Sequence, residues 1–471
     1  MDSSTCSKNC KQFHVLMFPW LAHGHISPYV ELSKRLADEG INISFVSTPL
    51  NISKIRPLFA DYQNCPPGRK VQLLELPLPT VDGLPAGIEN TRDIPPHLLP
   101  LLDKAMDGLE KPFERLLRQI CPNCVIFDFV QCWTPKVAAK MGIPTIFFVT
   151  FGTAFATYAI SPVRLKSEEI TAEDLMKPPP DFPSSVLSWR YFEAQSAIGC
   201  FTAEKPDLSY LQRGLTCYDG CCAIAVKTCN EIEGKFIQYL EIVAGKPVFA
   251  LGPLLPGLNK QESDCLKWLD KQSPSSVVYV SFGSQCFLSK EQIREIALGL
   301  EASQQPFLWA LTFPPSLGNG PQGYLPEGFE DRIMNRGLVA NEWVPQREIL
   351  SHPSTGGFVT HCGWNSILEA MGVGLPLIAL PMQLDQGLNA RLIVEELKVG
   401  VEVGRGDDGS LIRDEICKAV RMAMVEEEGR AVRVKAAEMG DLFRTKILQD
   451  GSQKAYIEQF IKYLHLLKSL E

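Results

Sequence analysis

At 471 residues the chain exceeds one ordinary hydrophobic core, so two or more domains are expected. It is 45% hydrophobic and 21% charged, the make-up of a soluble globular protein, and a net charge of −8 without any Lys/Arg block argues against a nucleic-acid partner. The stretch Met1 to Gln12 is polar and lacks the apolar core of a secretion signal, so a cytoplasmic location is expected.

Short apolar runs alternate with helical patterns from Phe13 onward. His14 to Pro19 reads as a strand. Pro28 to Glu39 follows as a helix, with Val30, Leu32 and Leu36 on its apolar side and Gly40 to stop it. Ile43–Ser47, Val71–Leu76, Val125–Phe127 and Thr145–Val149 are further strands, and Leu98 to Ile120 reads as helix. The uncharged stretch Met141 to Ile160 raises the question of a membrane span. Its Gly142, Pro144, Gly152 and threonines fit a buried strand, a loop and a helix start better, and no stable membrane insertion is expected.

Fifteen cysteines, scattered and odd in number, read as free thiols of a reducing compartment. Cys121-x-x-Cys124 and Cys217…Cys221-Cys222 invite a zinc reading, but no second pair stands at ribbon spacing. Buried small hydrophobes account for them, and no metal is expected.

The alternation breaks at the Pro-rich Lys177–Pro183 and again at Gly252–Asp264. It resumes with Ser276–Phe282, a helix over Ser289–Ser303, and Pro306–Ala310. Gly357–Thr360, a helix over Trp364–Met371 and Leu375–Leu380 follow. The organisation expected is two doubly wound α/β domains, 1–250 and 266–442, joined by a linker 251–265. An amphipathic segment 443–471 would pack back on the first domain. Ligands of such folds sit outside the carboxyl ends of the strands. Neither G-x-G-x-x-G after a strand nor G-x-x-x-x-G-K-[ST] occurs, which removes the main support for dinucleotide and P-loop enzymes.

The densest polar stretch runs from Trp343 to Gln386. Thr360-His-Cys-Gly-Trp-Asn-Ser366 lies between an apolar strand and a helix start, where free backbone N–H groups make an anion seat. Gly363 allows close approach, His361, Asn365 and Ser366 add donors, and Glu369 follows about one turn later for a ribose hydroxyl pair. Asp385 and Gln386 end the next strand-loop, where they suit a polyol. Trp343 offers a flat face to a base, and Gln346 an amide edge.

Trp343-Val-Pro-Gln346, Ile349-Leu350, His352, Gly356 through Ser366, Glu369, Gly374-Leu-Pro376, Pro381 and Asp385-Gln386 resemble the signature of the plant secondary-product glycosyltransferases, the family 1 UDP-glycosyltransferases. The resemblance implies the GT-B fold: two facing Rossmann-like domains, with the acceptor on the first and the UDP-sugar on the second. It also implies that Trp343 stacks on uracil, Gln346 lies near base and ribose, and Glu369 holds the ribose hydroxyls. His361, Asn365, Ser366 and the Gly283-Ser284 step would reach the diphosphate, and Trp364, Asp385 and Gln386 the transferred sugar. Leu375, where valine is usual, is the one departure within the signature.

Transfer to a hydroxyl needs a base, and histidine suits neutral pH. His23 and His25 both lie after the first strand, and periodicity does not choose between them. The resemblance selects His25, which follows a small residue, and leaves His23 as a loop residue of the cleft. Asp128, acidic at the mouth of the buried run Val125–Phe127, matches the family's partner aspartate. The implied reaction is one inverting displacement by a metal-independent monomer, with UDP-sugar as donor substrate and no cofactor. Gln386 and Trp364 point to glucose.

Stretches outside the signature, among them Phe18–Ala22, Ser27–Leu36, Phe45–Pro49 and Leu388–Arg391, resemble the branch that extends the sugar chains of flavonoid or terpenoid glycosides. In that reading Trp20 and Leu21, beside His23 and Ser27, supply the acceptor pocket with apolar depth and a polar mouth, and Ile146 to Phe155 adds apolar lining. Direct glycosylation of an aglycone is the alternative. The rivals from other classes are a non-catalytic UDP-sugar binder and a nucleotide-sugar epimerase.

Overall fold

The computed structural model describes residues 12–63, 70–161, 170–202, 208–258, 262–313, 323–449 and 451–469. Seven strands form the first sheet: β1 (His14–Phe18), β2 (Asn42–Ser47), β3 (Val71–Glu75), β4 (Cys124–Phe127), β5 (Thr145–Val149), β6 (Ala223–Val226) and β7 (Val248–Ala250). Six form the second: β8 (Val277–Ser281), β9 (Phe307–Ala310), β10 (Gly337–Ala340), β11 (Thr355–Thr360), β12 (Leu377–Ala379) and β13 (Gly400–Glu402). Every pairing in both sheets is parallel. β4, β5, β6, β8 and β9 are buried at every position. Such burial follows from helices covering both faces, and it is why these strands lack polar alternation.

The sheet orders are β3-β2-β1-β4-β5-β6-β7 and β10-β9-β8-β11-β12-β13. Each half therefore winds outward from its first strand and then returns to that strand's other side. The crevices created lie at the carboxyl ends of β1 and β4 in one half and of β8 and β11 in the other. The two-sheet α/β architecture is the one expected. β6, β7, β10 and β13 are additional to the strands read from sequence.

Four helices matter below: α1 (His23–Asp38), α2 (Thr153–Ala159), α3 (Trp364–Val373) and α4 (Ser452–Ser469). α1 starts ahead of Pro28 rather than at it, so His23 and His25 lie in its first turn. The pattern Leu98–Ile120 splits into Leu99–Asp107 and Glu110–Ile120. The apolar stretch 141–160 resolves into β5 and α2, and no described helix is long and apolar enough to cross a membrane. Cys124, Cys217 and Cys221 are buried, but Cys121 is exposed, capping the end of the helix Glu110–Ile120, and Cys222 is half-buried; no described His, Cys, Asp and Glu side chains group as a metal site.

The halves share one hydrophobic cluster, in which Tyr158, Phe182 and Trp189 meet Tyr279, Phe358 and Trp364. Beside it Arg391 Nη2 lies 3.1 Å from Glu193, Arg391 also pairs with Glu402, and Arg190 reaches Glu402 at 2.8 Å. Leu251 and Leu254, in the connecting segment, are buried against the first sheet, and Leu255 joins the shared cluster. α4 returns to the first half, where Ile457, Phe460 and Leu464 pack with Phe13, Val15 and Met17. The Phe249 ring lies 5.6 Å from Phe460 and 4.7 Å from Tyr463.

Phe460 is 0% exposed, so Phe460→Ala is expected to destabilise the protein by about 3–5 kcal/mol. A denaturant melt with an unchanged midpoint would remove α4 from the core.

Candidate active site

β4 ends in Asp128, whose carboxylate is 0% exposed. Its Oδ2 accepts from Trp20 N at 3.2 Å and its Oδ1 from Phe129 N at 2.8 Å. His25 Nδ1 lies 2.8 Å from Oδ2 and 2.9 Å from Thr150 Oγ1, at the end of β5. A carboxylate only accepts, so the proton sits on Nδ1 and the Nε2 lone pair is left to take another.

Helical geometry separates the two histidines. His23 and Ser27 are one turn apart and share a face, while His25 is turned from His23 by about 200°. His23, Ser27, Glu31 and Lys34 line a depression with Ile55 and Pro256. His25 lines a different pocket, of about 840 Å³ with its open mouth included. Phe129, Phe147, Phe151, Phe155, Phe201 and Tyr210 form its apolar walls, and Asp385 of the second half also lines it. Burial pushes Asp385 up to about 6, with Asn389 and His25 acting against that shift.

The expected pocket contribution of Trp20 and Leu21 is corrected here. Both are buried in the core, at 5% and 1% exposure. The loop that carries them wraps Asp128, which turns their side chains inward. His23 and Ser27 are likewise absent from the pocket. Of the expected lining Ile146–Phe155, the pocket takes Phe147, Phe151 and Phe155, whereas Ile146 belongs to the core on the other side of the sheet.

Across the cleft, α3 begins after β11 with Gly363 as its N-cap and no side chain capping it, and no acidic residue lies in its first turn. Its free N–H groups keep their pull on an anion. His361 stands between two glycines, where a Cβ on Gly363 would lie 2.5 Å from Nε2 and one on Gly283 (φ +74) 2.8 Å from Cε1. Burial pulls the His361 pKa down to about 4, so at neutral pH it is an uncharged hydrogen-bonding group. Gln346 Nε2 donates to Glu369 Oε2 at 2.9 Å and to Ser366 Oγ at 3.2 Å. Burial raises the Glu369 pKa, and Gln346 and Lys227 oppose the rise. Trp343 is 63% exposed, beyond the end of β10. Ser284 lies just past β8, partly buried.

Three signature side chains are engaged elsewhere. The Trp364 indole is 3% exposed and donates to Lys227 O at 2.8 Å. Asn365 Nδ2 donates to Gly24 O of the first half at 2.8 Å. Gln386 Oε1 accepts from Met382 N and Gln383 N at 2.9 Å, bracing its own loop.

Two family models match in succession: "Glycosyltransferase, N-terminal domain" over residues 11–256 and "UDP-glucoronosyl and UDP-glucosyl transferase" over residues 258–420. The chain is 38% identical to a mogroside IIIx synthase of Siraitia grosvenorii, covering 92% of this chain and 94% of that protein. It is 38% identical to a cyanidin-3-O-glucoside 2-O-glucuronosyltransferase of Bellis perennis, over 98% and 99%. The chain belongs to the plant UDP-glycosyltransferases. Its fold superposes with a TM-score of 0.83 on the Glycyrrhiza uralensis enzyme complexed with glycyrrhetinic acid 3-O-monoglucuronide, at 26% identity over 98% and 97% of the two chains. A Phytolacca americana enzyme complexed with UDP-2-fluoro-glucose and pterostilbene gives 0.77, at 28% identity over 96% and 100%.

Sequence reasoning missed three polar residues of this glycosyltransferase: Thr150 on the histidine, Lys227 after β6, and Glu233. Glu233 is 0% exposed and accepts from Ala154 N at 2.8 Å, holding the start of α2 against the pocket. Thr150 and Lys227 directly follow the apolar strands β5 and β6, the same signal that exposed Asp128, whereas Glu233 lies within the helix Asn230–Ala244.

With ¹³C-labelled histidine, the His361 signal is expected to stay in its neutral position until pH falls to about 4. His361→Gln assigns the resonance. A midpoint near the ordinary value of about 6.5 would contradict the buried, uncharged ring.

Proposed function

We propose that this glycosyltransferase moves glucose from UDP-glucose, with inversion, onto a hydroxyl of a flavonoid or terpenoid glycoside, acting as a cytoplasmic monomer without a metal. The observation that carries the reading is His25. Its Nδ1 is held by buried Asp128 at 2.8 Å, and its ring lines an aromatic pocket that Asp385 reaches from the second half. Asp128 fixes the tautomer and steadies the imidazolium, and His25 Nε2 takes the acceptor's proton. The acceptor oxygen forms its bond to the anomeric carbon as the bond to UDP breaks, and one displacement inverts that centre. The departing diphosphate gains charge against the start of α3 and neutral His361. Trp343, Gln346 and Glu369 would hold uridine, Ser284, His361, Gly363, Asn365 and Ser366 the diphosphate, and Trp364, Asp385 and Gln386 the sugar. Because the Trp364 and Asn365 side chains are engaged elsewhere, their main-chain groups are the parts offered to the donor. Of the Gln386 carboxamide, the Nε2 end is offered.

Relatives support a sugar-bearing acceptor. The Bellis perennis protein is named for cyanidin-3-O-glucoside, and a Gardenia jasminoides protein, 37% identical over 93% of this chain and 97% of its own, for β-D-glucosyl crocetin. The apolar pocket suits the aglycone of such an acceptor.

His25→Ala is expected to lower transfer by about 10²–10⁴-fold and leave UDP affinity close to that of wild type, since base and donor seat lie on different sheets. Near-normal turnover would refute the base. Trp343→Ala should raise the donor KM through lost stacking, and unchanged UDP binding by calorimetry would refute that contact. For the acceptor, kcat/KM is compared between aglycones and their monoglucosides, with UDP-glucose, UDP-rhamnose and UDP-xylose as donors. A preference for free aglycones of about tenfold, or about 1.4 kcal/mol at the transition state, would favour direct aglycone transfer.

A further inference from the structure

Pro28 leaves a gap in the hydrogen bonding of α1. Lacking an N–H, it cannot donate to the carbonyl of Gly24 one turn earlier, and Asn365 Nδ2 of the other half takes that oxygen at 2.8 Å. The same carboxamide accepts from Lys227 Nζ through Oδ1. The main-chain carbonyl of Lys227 in turn accepts from Trp364 Nε1 at 2.8 Å. Lys227 follows β6 in the first sheet, is 2% exposed, and has no part in the steps above.

A buried ammonium close to the positive start of α3 is unfavourably placed. Glu369 and Glu31 attract it, while Arg347 and nearby His23 are the other titratable groups facing it. Its chemistry decides the orientation of its partner. An ammonium only donates, so it claims the oxygen of Asn365 and turns the NH₂ toward Gly24. Without that charge the carboxamide is free to turn over, which would set its oxygen against the Gly24 carbonyl.

We propose that Lys227 is a positioning residue for sugar transfer. By fixing which end of Asn365 faces Gly24, it holds the first turn of α1, and with it His25, in register with the diphosphate seat at the start of α3. The inference rests on the glycosyl-transfer reading.

Burial brings the Lys227 pKa down to about 8. The ammonium is thus present below that pH and lost as pH rises through it. A bound diphosphate favours the charged form, so the loss should show in kcat/KM, which reports the free enzyme, more than in kcat.

The test compares Lys227→Met and Lys227→Arg with wild type, using an acceptor hydroxyl that does not itself ionise. Lys227→Met should unfold no earlier than wild type and bind UDP within about threefold. It should lose about tenfold or more in kcat, as expected when reacting groups are slightly misplaced. Its kcat/KM profile should also lack the alkaline fall near pH 8 expected of wild type. Lys227→Arg should restore most of kcat. A crystal structure of Lys227→Met should show Asn365 detached from Gly24. An undisturbed Asn365–Gly24 bond, wild-type kcat, or equal losses in kcat and UDP affinity would each overturn the proposal. Failure of wild type to transfer from any UDP-sugar would count against the glycosyl-transfer reading, while the crystal structure tests the orientation of Asn365 independently.

Discussion

A carboxylate sealed from solvent must be satisfied where it stands, and Asp128 is satisfied by two backbone N–H groups and the ring of His25. The rest of the first half's crevice depends on that requirement. The loop after β1 bends around the carboxylate so that Trp20 N can reach it, which sends the Trp20 side chain into the core. α1 then starts at His23, bringing His25 round to the carboxylate and turning His23 away. The parallel sheet supplies the location, because the reversal of strand order places the ends of β1 and β4 side by side.

The second half solves a different electrostatic problem. In the proposed reaction it must attract a diphosphate without placing a permanent cation against it at every point. Free N–H groups at α3 and a histidine kept neutral by burial provide polarity that carries little net charge. The halves are joined by a shared apolar cluster and by the Arg190, Glu193, Arg391 and Glu402 network, in which Arg391 and Glu193 are each 8% exposed. Breaking one member of such a network would strand a buried charge, so the cleft has a firm base on one side.

Legibility followed the strength of the local pattern. The proposed donor seat stood out because its polar groups fall close together between Trp343 and Gln386. Asp128 could be read because an acid directly after Val125–Phe127 is out of place. Lys227 carries the same signal, but it follows the short Ala-Ile-Ala-Val run of β6, which lacks the length or bulk to stand out as a strand. β7, β10 and β13 are edge strands of three or four residues and were missed for the same reason. The choice between His23 and His25 needed the true start of α1. Taking Pro28 as the start hid the first turn, since the fold supplies Gly24 with a donor from 341 residues away. The roles of Trp20 and Leu21 depended on a loop path that no local pattern encodes.

α4 has a consequence for biosynthesis. Phe13 meets His465 with ring centroids 5.3 Å apart, and Val15 and Met17 share a core with Phe460 and Leu464. During translation the first sheet is made long before the segment that covers this face. It must wait, with apolar surface uncovered, while the whole second half emerges from the ribosome. A pause or truncation ahead of residue 452 would leave a nascent chain whose second half can close around its own sheet while its first half cannot. Chaperone demand during synthesis should therefore fall on the half that was made first.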